Sequence, residues 1–278
     1  MINFVSFEQS KYQSVLESDD QERVAELLSA VPSMSEHEVK FLMFSASFPN
    51  VSKPLFQSVV KAVLIWGDRH RRKEKKHWAN LRKNREAIAG EIYWAILDNY
   101  ILDIMDARLT QKEANGLTFD GDTPLLLAVE HKSKYGNPSF PEHAVLRYLT
   151  STYALDSDIP CPGSKVTAWH RACYERLSLD LINILANETR YKSLNIRDEA
   201  GDTPLHKLCG ASPCQPDVDT VATLLISKGV DPLVKANDGK TCLDILRENL
   251  GLTPSTHGDA LLNVLNEAIA TRGGSHHG

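Results

Sequence analysis

The sequence predicts an all-α protein in which pairs of helices repeat along the chain. Four short segments that contain threonine recur, and each leads into an apolar pattern with helical spacing. A second helical pattern follows each of the first after a short break, so the repeating unit is a turn, a helix, a turn and a helix. No stretch alternates apolar and polar residues as a strand would. We therefore expect an α-solenoid preceded by a helical N-terminal module.

Residues 1–116 are predicted to form the N-terminal helical module. Apolar residues at helical spacing predict these helices: Glu22–Val31, Glu38–Phe48, Pro54–Trp66 and a long helix over Arg85–Asn115. The long helix carries an apolar stripe that includes Trp94 and Met105. The helices near residues 40–67 also look like a degenerate copy of the downstream unit, which places possible degenerate units at about residues 20–67.

Four divergent repeats are predicted at about residues 117–158, 159–197, 198–235 and 236–270, with 271–278 as a flexible tail or tag remnant. The clearest copy is Gly201–His206, with the sequence GDTPLH. Threonine at a helix start caps free backbone amides, and proline in the first turn loses no hydrogen bond. The predicted repeat-turn residues are Thr123, Pro124, Thr167, His170, Thr203, Pro204, His206 and Thr241.

These segments resemble the ankyrin repeat, whose period is about 33 residues. Proline-containing insertions lengthen the spacing in this chain. The resemblance implies that the turn histidine hydrogen-bonds within its own turn and between turns. Leu126 and Asp244 replace that histidine in the first and fourth repeats, so we expect weaker stacking at both ends. It also implies a non-enzymatic module that binds another protein and needs no cofactor.

In ankyrin stacks the partner usually meets the turn tips and the inner face of the first helices. Of the twenty positions aligned with that surface, eight are acidic and one is basic, which favours a basic partner. Alternatively, these acids only aid solubility and helix starts. Aromatic anchors are expected at Phe119 and Tyr174. The predicted partner-binding residues are Phe119, Asp120, Asp122, Glu130, His131, Tyr174, Glu175, Glu199, Asp202, Asn237, Asp238, Lys240 and Glu248.

Charge is unevenly distributed along the chain. The net charge is −5, which argues against a nucleic-acid-binding polycation. The segment Arg69–Arg85 nevertheless holds nine Lys or Arg residues and one acid. Such a segment contacts nucleic acid or an anionic membrane, or it is simply a solvated helical face. The predicted basic patch comprises Arg69, Arg71, Arg72, Lys73, Lys75 and Lys76.

Other residue patterns raise weaker chemical hypotheses. His170 with Cys173, and His206 with Cys209, have the residue types of a zinc site, but turn hydrogen bonding by the histidines and core packing of the cysteines are the stronger interpretation. Asp103 and Asp106 share a helix face, as a metal-binding or acid–base pair would, or as an ordinary polar face does. No catalytic or metal site is predicted from these patterns. Cys161 lies in a loop without any protease signature.

The degenerate repeats and divergent N-terminal module resemble ankyrin proteins that intracellular bacteria secrete as effectors. That resemblance implies virulence through a host protein partner, in the host cytosol.

No apolar run is long enough to span a membrane, no secretory signal is evident, and five cysteines suit a reducing cytoplasm. A monomer is expected. The alternatives are an enzyme with its site in the N-terminal module, and an adaptor that uses the basic band. Asn195 occupies a position that asparaginyl hydroxylases modify in some ankyrin repeats.

Overall fold

The structure is a computed structural model that describes residues 12–18, 20–48, 50–97, 100–135, 144–175, 178–211 and 216–274. These residues form helices and turns, and the only extended pairings among them are isolated bridges such as Phe119 with Asp122. The predicted all-α class is confirmed. The chain divides into two compact units, unit 1 (Met1–Leu155) and unit 2 (Asp156–Gly278).

Unit 1 holds the N-terminal helices and the first predicted repeat. Its described helices are α1 (residues 12–16), α2 (Gln21–Ala30), α3 (Glu36–Ala46), α4 (Lys53–His70), α5 (Arg72–Leu81), α6 (Arg85–Leu97), α7 (Ile101–Ala107), α8 (Gln111–Gly116), α9 (Pro124–Tyr135) and α10 (Ala144–Thr152). Helices α6 and α9 pack against each other, and Tyr93 stacks on Phe119. This packing explains why the division falls after Leu155, whereas the sequence placed a boundary after residue 116.

The prediction of one long helix over Arg85–Asn115 is wrong, because the described residues of that stretch form three helices, α6, α7 and α8. Helix α7 ends at Ala107, because the next residue, Arg108, has a left-handed φ of 46° that stops a right-handed helix. Thr110 and Glu113 then form a capping box that starts α8. Trp94 does not belong to a buried stripe, since 58% of its surface is exposed.

Unit 2 is built from helix pairs stacked in chain order. Its described helices are α11 (Ala168–Tyr174), α12 (Leu179–Glu188), α13 (Pro204–Gly210), α14 (Val218–Ser227), α15 (Cys242–Leu252) and α16 (Thr256–Gly274). Helix α13 packs between α11 and α15, while α14 packs between α12 and α16. Such short helices are marginal alone and gain stability from their neighbours. The core includes the fully buried side chains of Trp169, Leu205 and Leu246.

The last described helix of unit 2 reaches into the stretch 271–278 that is expected to form a tail. Helix α16 continues to Gly274, so residues 271–274 are helical, and residues 275–278 lie outside the described part. Arg272 explains part of this order, since its Nη1 lies 2.7 Å from Asp231 Oδ1 and its Nη2 donates to the Val230 carbonyl. The possible degenerate repeat at residues 20–67 stays a prediction, although α3 and α4 do pack as a pair.

The Thr167–His170 pair caps α11 and also reaches the next repeat. The Thr167 backbone N–H donates to His170 Nδ1 at 3.2 Å, and the Thr167 hydroxyl lies 2.8 Å from the same nitrogen. Because Nδ1 accepts from a backbone amide, the imidazole proton is assigned to Nε2. Nε2 then donates to the Asp202 carbonyl at 2.9 Å. One side chain therefore fixes a helix start and joins two repeats.

The Thr203–His206 pair repeats this arrangement one unit later. Thr203 N–H donates to His206 Nδ1 at 3.1 Å, and His206 Nε2 lies 3.3 Å from the Lys240 carbonyl. In the fourth repeat the carboxylate of Asp244 accepts from the backbone N–H and the hydroxyl of Thr241. None of its described hydrogen bonds reaches another repeat. Among the described residues, the two histidines thus join the second repeat to the third and the third to the fourth.

Lowering the pH should destabilise the protein through His170 and His206. Burial lowers the pKa of both imidazoles below the usual value, so the unfolded chain takes up the protons more readily. This contribution is fully present above about pH 6.5 and is lost as the pH falls below it, at up to about 1.4 kcal/mol per pH unit for each histidine. Urea unfolding at about pH 7.5 and about pH 5.5 measures the loss.

The control for this prediction is the double variant His170→Gln with His206→Gln. Glutamine still completes a capping box but cannot be protonated in this range. We expect the variant to lose much less stability between the two pH values than the wild-type protein. Equal losses in the two proteins would contradict the role given to the imidazoles.

Candidate functional site

The candidate site is a row of three turn tips in unit 2, formed by Cys161–Val166, Asp198–Asp202 and Ala236–Lys240. We call these turns the tip row. A backbone hydrogen bond closes each one, from Cys161 N to Val166 O, from Asp198 N to Asp202 O and from Ala236 N to Lys240 O, at 2.8, 2.9 and 2.8 Å. Glycines at positive φ allow the chain to reverse at each tip.

Backbone hydrogen bonds hold neighbouring tips side by side. Glu199 N donates to Ser164 O at 2.9 Å, and Asn237 N donates to Ala200 O at 3.0 Å. The Asn237 side chain adds a bond from Nδ2 to Glu199 O at 2.9 Å. Asn237 was predicted to meet a partner, but its amide is used to join tips. The tip row is thus a continuous hydrogen-bonded edge of unit 2.

Arg197 and Gly201 fit closely together at the centre of the tip row. Arg197 Nε donates to Gly201 O at 3.0 Å, and its Nη2 donates to Lys235 O at 2.8 Å. Gly201 has a φ of +81°, and a Cβ built on it would lie 2.4 Å from Asn237 Oδ1. The backbone of the next tip therefore leaves no room for a side chain at residue 201.

Ion pairs within unit 2 reduce the negative charge that the sequence predicted for this surface. Lys207 Nζ lies 2.7 Å from Asp202 and also 2.7 Å from Asp198. Lys240 Nζ lies 2.6 Å from Glu248. Asp202 and Glu248 are therefore neutralised by lysines and do not count among the unpaired acids of this surface.

The remaining acids of the predicted surface in unit 2 are Glu175, Glu199 and Asp238. None of them has an ion-pair partner among the described residues. Glu199 and Asp238 are exposed on the tip row, while Lys165 on the first tip is an exposed cation. The surface is therefore mixed in charge, with its unpaired acids concentrated on the second and third tips.

The two predicted aromatic anchors lie in different environments. Tyr174 is the last residue of α11, and 60% of its surface is exposed. Phe119 is in unit 1, where its ring centroid lies 4.5 Å from that of Tyr93. An aromatic ring already stacked inside its own unit has less surface left for a partner, so Tyr174 is the better anchor.

The other first-repeat residues also belong to unit 1. Asp120 is exposed at a left-handed φ of 50°, and the backbone N–H of Asp122 donates to Phe119 O at 3.0 Å. The side chains of Glu130 and His131 lie outside the described part of the structure. The candidate site is accordingly built from unit 2 alone.

Asn195 has a structural role in unit 2. Its Nδ2 donates to Gly229 O at 3.0 Å, and its Oδ1 accepts from Asp231 N at 2.7 Å. Both ends of the amide therefore join consecutive repeats. Its hydroxylation stays a prediction.

Within the described residues, His170, Cys173, His206 and Cys209 do not assemble a zinc site. Both ring nitrogens of His170, and both of His206, already lie within hydrogen-bond distance of threonine and carbonyl groups. Cys173 is fully buried, and burial raises its pKa to about 12, which keeps the thiol protonated. Within the described residues no group of three His, Cys, Asp or Glu side chains is placed to hold a metal ion.

The basic band Arg69–Arg85 is only partly a cationic surface. Arg71 is buried, with its guanidinium 2.5 Å from Asp106, 2.5 Å from Asp103 and 3.0 Å from Glu36. This pairing also accounts for Asp103 and Asp106, which were considered for metal or acid–base chemistry. Lys75 pairs with Asp68. The exposed cations of the predicted patch are Arg69, Arg72, Lys73 and Lys76.

A groove of about 550 Å³ lies between α5, α6 and the start of α7 in unit 1. Trp94 and Tyr100 are exposed along it, while Trp78 is buried in its wall. His77 and Glu91 also line it, which is the convergence of polar groups that an enzyme in this module requires. No hydrogen bond joins His77 to Glu91 in the described part of the structure.

No described helix is both long and apolar enough to cross a membrane. No protein-family model matches the chain, and no curated protein matches it. Among solved structures, the chain is similar to the crystal structure of EF0377, an ankyrin repeat protein. The identity is 17%, the TM-score is 0.47, and the match covers 63% of this chain and 78% of that chain.

Replacing Gly201 with alanine should destabilise the tip row much more than replacing Gly239. Both glycines have positive φ, +81° and +84°, so alanine is strained at either position. Only at residue 201 does the new Cβ also collide with Asn237 and Arg197, whereas nothing lies within 4 Å of it at residue 239. We expect losses of about 1 kcal/mol for Gly239→Ala and about 3 kcal/mol for Gly201→Ala.

Urea unfolding monitored by far-UV circular dichroism measures both losses. Gly239→Ala is the matched control, because it carries the backbone strain without the collision. Equal losses in the two variants would show that the tips are not packed together as described.

Proposed function

We propose that unit 2 binds a protein partner that presents a basic segment to the tip row and to Tyr174. The observation that carries the proposal is the continuous, hydrogen-bonded tip row with an exposed aromatic side chain on the helix that follows its first tip. A surface whose backbone is already ordered loses little entropy on binding. Tyrosine is a common hot-spot residue because it offers a large rigid contact area and a polar hydroxyl.

The charges support a basic partner, more locally than the sequence alone suggested. Glu199 and Asp238 are exposed carboxylates on adjacent tips. Opposite charges on a partner speed encounter and fix its orientation, although exposed pairs add little affinity. Tyr174 therefore supplies most of the binding energy in this proposal, and the two acids select the partner's charge.

The partner that the resemblance to secreted effectors suggests is a host protein. The protein would then act in the host cytosol, as a non-enzymatic virulence factor that occupies a surface of that partner. Capture from host lysate and from bacterial lysate, with mass spectrometry of what remains bound, distinguishes a host partner from a bacterial one. Retention of a bacterial protein alone contradicts this part of the proposal.

The binding test uses Tyr174→Ala, Glu199→Lys and the double variant against the purified partner. Tyr174→Ala should weaken binding about tenfold or more, as loss of a hot-spot tyrosine does. Glu199→Lys should weaken it about fivefold, mainly by slowing association, and the effect should shrink as salt rises from about 50 to about 200 mM. Surface plasmon resonance gives both rate constants.

The matched controls lie elsewhere in unit 2. Leu252→Ala removes another exposed apolar side chain, 81% exposed, and Glu267→Lys makes the same charge change on α16. Both controls should bind as the wild-type protein does. Unchanged binding by the double variant, with unfolding curves like the wild type, would exclude the tip row and Tyr174 as the binding surface.

A further inference from the structure

A second site in unit 1 remains unexplained by protein binding at the tip row. It is a cavity of about 230 Å³ between the end of α5, the start of α6 and α8. Arg82, Arg85 and Lys112 line it, with Glu113 as the acidic residue among the lining side chains. Arg82 and Arg85 end the basic band, whereas Lys112 comes from a different helix. The fold therefore brings three cations to one small cavity.

The two arginines are already held in place by backbone carbonyls. Arg82 Nη2 donates to Ala107 O at 2.6 Å and also to Arg108 O, at the end of α7. Arg85 Nη2 donates to Gly116 O, at the end of α8. Carbonyls at helix ends lack partners within the helix, so they are natural anchors for such donors.

Anchoring through one nitrogen leaves donors for a ligand. A guanidinium carries five N–H groups, and the recorded bonds of both arginines use Nη2. Carbonyl groups hold the side chains without neutralising their charge. An anion that enters the cavity therefore meets cations whose ordering cost has largely been met by folding.

Glu113 does not cancel this positive charge. Its carboxylate accepts the Thr110 backbone N–H at 2.7 Å as part of the capping box of α8. It lies 3.8 Å from Arg82 Nη2, which is a loose pair. The cavity is lined by three cations and by this one carboxylate, so an excess of positive charge remains there.

The size and the walls of the cavity suit a small anionic group with a short carbon stem. Its volume of about 230 Å³ is below the roughly 300–1,000 Å³ of sites for drug-sized ligands. Buried Ile88 and Leu117 line the same cavity and offer an apolar wall. A phosphate monoester carries nearly two negative charges at neutral pH and three oxygens that accept from arginine donors.

We propose that this cavity binds a phosphate monoester through Arg82, Arg85 and Lys112. The phosphate oxygens take the remaining guanidinium donors and the Lys112 ammonium, and the carbon next to the ester oxygen contacts Ile88 and Leu117. The site lies in unit 1 and does not depend on the proposed protein binding by unit 2.

Calorimetric titration of the full chain tests the proposal with defined probes: inorganic phosphate, a phosphoserine peptide and the same peptide without phosphate. We expect saturable one-to-one binding of the phosphoserine peptide, weaker binding of inorganic phosphate and none of the unmodified peptide. Lys112→Gln breaks no bond recorded in the structure and should weaken binding about tenfold, and adding Arg85→Gln should weaken it about a further tenfold. Affinity should fall as salt rises.

The matched control is the double variant Arg72→Gln with Lys76→Gln, which removes two exposed cations of α5 away from the cavity. It should bind the phosphoserine peptide as the wild-type protein does. Binding that falls equally in the control reflects general charge attraction and overturns the proposal. Binding of inorganic phosphate without the phosphoserine peptide overturns the monoester assignment, and binding of no probe overturns the site.

Discussion

The hydrogen bond from one repeat's imidazole to the next repeat's carbonyl is the interaction on which unit 2 depends. His170 and His206 each cap their own helix through Nδ1 and reach forward through Nε2. The helices concerned are too short to be stable alone. In the second and third repeats a single buried side chain therefore both caps the helix start and contributes a bond to the next repeat. The arrangement requires a neutral imidazole with its proton on Nε2.

The tip row follows from this stacking. Once consecutive helices are held in register, the turns that precede them lie close enough to exchange backbone hydrogen bonds, as Glu199 does with Ser164 and Asn237 with Ala200. Gly201 marks how closely they approach, because the neighbouring tip occupies the space of its missing side chain. If the tip row binds a partner as proposed, its shape comes from the repeats and its specificity from the few side chains left unpaired.

The repeats could be predicted from the sequence because their signals are local. Threonine, proline and histidine at fixed offsets specify a cap wherever they occur. The break before α8 was also signalled locally, by the threonine and glutamate of the Thr110–Glu113 capping box, but the apolar periodicity of Arg85–Asn115 obscured it. Long-range pairing could not be predicted. Arg71 meets Asp106, 35 residues away, and this pairing removes it from a basic surface that a local count of charges included.

The candidate site shows the same limit. A count of acids on the aligned positions includes Asp202 and Glu248. Lysines nevertheless neutralise both, because Lys207 on α13 pairs with Asp202 and Lys240 on the third tip pairs with Glu248. Asn195 and Asn237 have the composition of an exposed polar surface, but their amides are used as links between repeats. Which polar residues remain for a partner depends on pairings across tips and helices. Tyr174 stays a good candidate because 60% of its surface is exposed in the described structure.

The most direct measurement of the central interaction is a long-range ¹H–¹⁵N correlation spectrum of the imidazole rings above neutral pH. The spectrum distinguishes a protonated ring nitrogen from one that accepts a hydrogen bond. For His170 and His206 the structure requires the proton on Nε2, slow exchange of that proton with water, and an unprotonated Nδ1. A proton on Nδ1, or rapid averaging between the two forms, would contradict the link between repeats and with it the account of the tip row.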